Sequence, residues 1–256
     1  MAVVWSACKD GTRYEVRAHG NVLKLYSDGV FHSAWNPRHG LTGRVWDLFV
    51  VAAFAARAPV RRVLLLGIGG GTALLQLQRF AGPLEAVGVD LDAVHLQVAR
   101  ERFGVSPEIA RLVHADACQW IGDAPAESFD LVVDDLFGHV DGEPARAVPV
   151  DAAWAGLLGR LLAPGGVLAV NFIAPKDLRA SALCSDARIR GQYASAYQLR
   201  TAKDANAVGV FCREEITPRR WRARVRATPG LDDRDRRCPL DYEIRRLPEV
   251  GDSVAA

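Results

Sequence analysis

The 256-residue chain has no Cys-x-x-Cys pair: its five cysteines, Cys8, Cys118, Cys184, Cys212 and Cys238, are scattered and odd in number. That spacing excludes zinc-ribbon and dithiol redox frameworks and fits a reducing, cytoplasmic setting. No apolar run approaches the ~20 residues that span a bilayer, and the start MAVVWSACKDG has no basic region leading into a long apolar stretch. The sequence therefore predicts a soluble, unexported protein with no membrane partner. Charge bias is slight: 32 Lys and Arg against 30 Asp and Glu give a formal net charge of +2, so no global field selects a polyanion. Internal repeats and low-complexity blocks are missing, and no histidine belongs to a cluster with metal-ligand spacing, so no metal is expected. What is present is ordinary globular composition, 50% hydrophobic and 24% charged, at a length that supports one large α/β domain with a small appendage.

From Val3 to Trp35, short runs rich in Val, Tyr, Phe and Leu are broken by Asp10-Gly11, His19-Gly20-Asn21 and Asp28-Gly29, which is hairpin punctuation. Residues 1–43 read as a small β-rich layer. Val45 to Ala56 carries apolar residues around much of a helix, as suits one buried against a sheet. The pattern then alternates: Val63-Leu64-Leu65-Leu66 as a buried strand, a glycine turn and helix to Phe80, a strand to Val89, a helix over Ala93–Phe103, a strand to His114, a short helix near Trp120, and a strand over Phe129–Val133. A helix over Asp151–Leu162, a strand over Val167–Phe172, a helix over Asp177–Ile189 and two closing antiparallel strands, Tyr193–Arg200 and Ala207–Cys212, follow. Consecutive strands joined by helices are parallel, which makes residues 44–230 an α/β, doubly wound, Rossmann-like domain with a seven-stranded sheet. Residues 231–256 read as a charged tail.

In an open parallel sheet, ligands bind beyond the carboxyl ends of the strands. The first strand ends in Gly67-Ile68-Gly69-Gly70-Gly71, where missing side chains let a ligand approach the backbone and the next helix aims its N-terminus at it. The spacing does not complete G-x-G-x-x-G, and a tight turn alone would also want these glycines. The second strand ends at Asp90, about twenty residues on, where a carboxylate can accept from ribose hydroxyls. Asp92 reads as the cap of the following helix. Asp116, after the third strand, suits an exocyclic adenine amine or a helix cap equally. The fourth strand ends in Asp134-Asp135, adjacent carboxylates that alternate in direction and raise each other's proton affinity, as a general base for an amine or hydroxyl nucleophile requires.

These residues resemble the spermidine synthase (polyamine aminopropyltransferase) family and, more broadly, class I S-adenosylmethionine-dependent methyltransferases. Val63 to Leu75 looks like V-L-I-I-G-G-G-D-G-G-x-L-R, Val89 to Phe103 like V-E-I-D-x-x-V-I-x-x-A-R-x-x-F, and Phe129 to Asp135 like F-D-V-I-I-x-D. The resemblance implies a class I methyltransferase type of sheet with an N-terminal β layer, a homodimer, and S-adenosylmethionine or its decarboxylated form as cofactor. It implies that Gly67, Gly69, Gly70 and Gly71 line the sulfonium pocket, Asp90 and Leu91 the ribose, and Asp116 and Ala117 the adenine. Asp135, with Asp134, would serve the reacting amine, and Asp47 the small-molecule acceptor; His32 and His139 are read, apart from the resemblance, as candidates to line the acceptor pocket. Both histidines are open to a structural reading as well. Several positions depart from the family: Gly70 replaces the aspartate of G-G-G-D-G-G that holds the amino end of decarboxylated S-adenosylmethionine. Gly138, His32 and Trp46 replace an aspartate, a glutamine and a histidine of the polyamine pocket. A glycine with free N–H groups could instead accept the carboxylate of S-adenosylmethionine, which favours methyl transfer to a small amine or hydroxyl. Aminopropyl transfer to an altered acceptor and a non-catalytic cofactor-binding module are the alternatives.

One further feature, the arginine-rich stretch Arg219, Arg220, Arg222, Arg224 and Arg226, opens after Thr217-Pro218 as a helix. Asp232, Asp233 and Asp235 dilute it, so a solvated face is expected and nucleic acid is not the expected partner.

Overall fold

The computed structural model describes residues 1–140 and 143–250; the side chains of residues 139, 140 and 143 also lie outside the description, and with them the acceptor role expected of His139. The N-terminal layer is an antiparallel sheet of β1 (Ala2–Lys9), β2 (Thr12–His19), β3 (Val22–Ser27) and β4 (Val30–Trp35) in sequential order. Its first and third turns pair Asp10 with Gly11 (φ 50° and 82°) and Asp28 with Gly29 (φ 48° and 83°). Two successive positive φ angles match the twist of the flanking strands, and Asp-Gly is the pair that tolerates them.

Helix α1 (Val45–Ala53) is buried along its whole length, as its all-round apolarity requires. The main sheet then builds from β5 (Arg62–Leu66), α2 (Thr72–Ala81), β6 (Glu85–Asp90), α3 (Ala93–Val98, continued by a π-helical turn over Ala99–Phe103), β7 (Arg111–His114), α4 (Ala117–Asp123) and β8 (Phe129–Asp134). Next, β9 (Phe137–Val140) pairs antiparallel with β10 (Glu143–Arg146). Then come α5 (Ala152–Leu161), β11 (Leu162–Phe172), three short helices α6 (Pro175–Ala180), α7 (Ala182–Ser185) and α8 (Ala187–Arg190), β12 (Ser195–Arg200), β13 (Ala207–Cys212), α9 (Pro218–Arg226) and β14 (Glu243–Arg246). The single helix expected over 177–189 is divided at Ser181 and Asp186, both extended; Asp186 caps α8 by accepting from the Arg188 and Ile189 N–H groups. Short polar side chains that bond the local backbone end helices in this way.

Sheet order is β14-β12-β13-β11-β8-β5-β6-β7, parallel from β11 to β7 and antiparallel at the other end. All seven expected strands are present. The eighth, β14, comes from the segment expected as a tail and pairs with β12 at the sheet edge. Alternation along β5 divides the core: Val63 and Leu65 pack with α1, α2, α9 and the N-terminal sheet, while Leu64 and Leu66 pack with α4 and α5. The strand order reverses at β5, with β6 on one side and β8 on the other, which opens a crevice beyond Leu66 and Asp134. Among the described residues no helix is long and apolar enough to cross a membrane.

Candidate functional site

That crevice widens into a cleft of about 1010 Å³ between the strand ends and the N-terminal sheet. Its floor is the turn after β5. Gly67 sits at φ 78°, and a Cβ there would lie 2.3 Å from the Asp135 carbonyl oxygen, so only glycine lets the turns after β5 and β8 run side by side. The Asp135 N–H donates to the Leu66 carbonyl at 2.8 Å, closing the contact.

At one end, β6 delivers Asp90, whose Oδ2 accepts from the Ile68 and Gly69 N–H groups at 2.8 and 3.1 Å and whose Oδ1 accepts from the Asp92 N–H at 2.8 Å. Three donors on a carboxylate with about four acceptor sites leave room for a ligand hydroxyl. Leu91 follows with its side chain 70% exposed, an apolar surface open to the cleft. Asp116 caps α4 through the Cys118 N–H at 2.8 Å while lining the cleft with Ala117. Asp92 caps α3 and also accepts from the Tyr14 hydroxyl at 2.8 Å. Burial alone would raise the Asp92 carboxyl; neighbouring His95, Tyr14 and the helix N–H groups outweigh it and hold it below the usual range. His32 lines the same cavity, its ring 4.8 Å from that of His95, which in turn lies 3.0 Å from the Ser27 hydroxyl.

At the other end, the adjacent acids of β8 take opposite faces. Asp134 is fully buried on the α5 side, where it receives Arg146 at 2.8 and 3.0 Å and the Trp154 indole N–H at 2.8 Å. It is spent on folding and does not line the cleft, contrary to the catalytic role expected of it. Asp135 does line the cleft. Burial pushes its carboxyl up to about 7, against the Asn171 amide that donates to Oδ1 at 2.8 Å; nearby Asp134 pushes it further up. Asn171 in turn accepts from the Asn206 amide at 3.1 Å, which fixes its orientation with the N–H side toward Asp135. Beside Asn206, Asp204 accepts from the Arg44 guanidinium at 2.7 Å and the Val45 N–H at 2.8 Å, capping α1 across 159 positions of sequence.

Other expected site residues are elsewhere. The Gly70 N–H is not free to receive a carboxylate, because it donates to the Ser33 hydroxyl at 2.7 Å, and a Cβ on Gly70 would meet Ser33 and Phe103 at 2.9 Å. Gly71 turns toward Val105 and starts α2 in the left-handed region. Asp47 is 1% exposed, accepting from Thr42, Gly43 and Gln76 and holding the loop before α1 in shape; burial raises its carboxyl above the usual range despite these donors. The amides Asn171 and Asn206, and Asp204, were not anticipated. Asn171 had a signal, the lone amide in the apolar run Val167–Phe172; the other two lie in a polar turn that reads like any other.

Residues 63–166 match the family described as "Methyltransferase domain". Polyamine aminopropyltransferase 2 of Caldanaerobacter subterraneus is 30% identical over 105 residues, 40% of this chain and 35% of that protein; the chain spans about a third of such curated relatives. Among solved structures, a probable spermidine synthase from Corynebacterium glutamicum superposes with a TM-score of 0.71 at 15% identity, covering 96% of this chain and 92% of that one. Human methyltransferase-like protein 13, in complex with SAH, superposes with a TM-score of 0.57 at 17% identity, covering 70% and 87%.

Proposed function

From a chain with a spermidine synthase-like fold within the S-adenosylmethionine-dependent methyltransferase superfamily, we propose a transferase that binds an adenosyl sulfonium cofactor and moves its methyl group to an amine. The observation that carries this reading is Asp135, a cleft carboxyl titrating near neutrality directly beside the glycine turn after β5. The cleft suits the cofactor in size and donor set: Asp90 has acceptor capacity for a ribose hydroxyl, exposed Leu91 offers an apolar face to a base, and Asp116 can accept from an exocyclic amine. When bound, the cofactor supplies an electrophilic carbon on a sulfonium.

The chain's own residues have three tasks. Asp135 takes a proton from the acceptor ammonium, freeing the nitrogen lone pair for attack. Asn171 holds one oxygen of that carboxylate, leaving the second for the amine. The strand-end framework aligns the nitrogen with the bond to be broken, so that positioning supplies much of the rate.

Methyl transfer is preferred because position 70 offers no carboxylate to anchor an aminopropyl ammonium, and its site is closed over by Ser33 and Phe103. A second reading, aminopropyl transfer from decarboxylated S-adenosylmethionine, is favoured by one observation: Asp10, Asp90, Asp92, Asp116, Asp135 and Asp204 line the cleft against Lys9 and Arg44, a field that disfavours a cofactor carboxylate. Titration calorimetry with both sulfonium nucleosides separates them. Tighter binding of S-adenosylmethionine, and amines gaining a methyl group by mass spectrometry, are expected. Tighter binding of the decarboxylated form would overturn the methyl reading, and failure to bind either would remove the transferase.

A further inference from the structure

We propose that the acceptor is a monoamine with an apolar, preferably aromatic, body rather than a linear polyamine; this rests on the transferase reading and names its substrate class. Contacts trace the wall around Asp135: Asp135 to Asn171, Asn171 to Asn206, then Asp204 to Arg44, Arg44 over the Phe31 ring at 5.3 Å, and Phe31 edge-on to Trp46 at 5.4 Å. Phe137 and Ile173, the latter 39% exposed, line the same cavity where β8 and β11 end. Prominent among the apolar side chains lining this cavity are two rings from the N-terminal side, Phe31 and Trp46, and Phe137 and Ile173 from the sheet side.

Most of the acids near this end already have partners. Asp134 faces the opposite side of the sheet and is neutralised by Arg146. Asp47 is buried in the loop before α1. Asp204 is neutralised by Arg44 and the start of α1. Asp90 and Asp92 belong to the end of β6, occupied with the glycine turn, the cap of α3 and Tyr14. Among the carboxylates at the strand ends, Asp135 is the one left for an ammonium group; Asp10, next to Lys9 in the turn after β1, also lines the cavity. A second ammonium placed against Phe31, Trp46, Phe137 and Ile173 would meet no carboxylate among these four side chains, so its desolvation would lack an ion pair. An aryl group there would instead bury apolar surface against rings and an exposed isoleucine.

Calorimetry on the full chain, with and without saturating S-adenosylhomocysteine, compares phenethylamine with 1,4-diaminobutane. Phenethylamine should bind at least 10-fold tighter, and Ile173→Glu, which adds a second carboxylate at a half-exposed position, should narrow or reverse that ratio. Equal or tighter diamine binding to the unaltered chain overturns the proposal, as does no binding of either amine, or a ratio that I173E leaves unchanged. If S-adenosylhomocysteine fails to bind while the amine preference holds, the transferase reading falls and the ligand class stands. If the nucleoside binds and the preference is absent, the reverse applies.

Discussion

Replacing Asn171 with leucine, which is close in shape but cannot donate, tests the central acid directly. Asp135 titrates at about 7 because burial opposes its charge while the Asn171 amide, at 2.8 Å, stabilises it. A hydrogen bond to a charged group contributes about 1.5–3 kcal/mol, and one pKa unit is about 1.4 kcal/mol, so losing the amide should raise the carboxyl by about 1–2 units. In the parent protein about half of Asp135 is ionised at pH 7. With the carboxyl raised to ~8–9, that share falls to roughly 1–10%, a loss of roughly 5- to 50-fold at pH 7 that recovers toward pH 10. The pH dependence of kcat/KM for the sulfonium nucleoside reports groups of the free enzyme and is the assay of choice. The carbonyl-region ¹³C signal of labelled aspartate that disappears in Asp135→Asn gives the same titration without turnover. An alkaline shift of both supports the argument. A limb that stays near 7, or activity lost equally at every pH, would refute it and make Asn171 a packing residue.

The same carboxyl has a stability consequence of opposite sign. The unfolded chain releases the Asp135 proton near 3.8 and the folded chain near 7, so stability is lost as pH rises through that window. Asp135→Asn should therefore melt at a higher temperature than the parent at pH 8, with the gap closing toward pH 4. Arg146→Met leaves Asp134 fully buried and uncompensated, which should cost about 3–5 kcal/mol and lower Tm by roughly 6–20 °C; Asp134→Asn in the same chain should recover part of it, measured by thermal melts. Gly70→Asp forces a Cβ to 2.9 Å from Ser33 and Phe103 and should destabilise by about 1–3 kcal/mol without improving binding of decarboxylated S-adenosylmethionine in calorimetry.

The glycine-turn end of the cleft was legible because its signals are local. The run Val63–Leu66, the glycines after it and Asp90 lie within one βα unit and the next strand, and backbone periodicity alone positions them at the sheet's edge. Alternation along β8 likewise required Asp134 and Asp135 to face opposite ways, but which of them met the cleft depended on Arg146 and Trp154, 12 and 20 residues on. The end around Asp135 was illegible because its contacts join distant parts of the chain. Asp47 aligned with a family motif yet folds into its own loop, Gly70 is covered by Ser33 from a different sheet, the Asn171–Asn206 bond forms only after β11 and β13 have paired, and Asp204 meets Arg44 and Val45 from a distant part of the chain. Residues 243–246 looked like tail because four residues with one buried isoleucine carry little strand signal.

The bond from Asp204 to the start of α1 divides the molecule's evolvability unevenly. The end built on the glycine turn and Asp90 is encoded in one continuous stretch, so a change there alters strand, turn and helix together. The end around Asp135 is a meeting of segments around residues 31, 45, 137, 171 and 204, joined by a few side-chain clasps such as Asp204 with Arg44 and Val45. A short insertion or exchange between β12 and β13 would redraw one side of that meeting place and leave the glycine turn in its register. On the proposed transferase reading, such an exchange in one surface turn changes the acceptor without rebuilding the sheet.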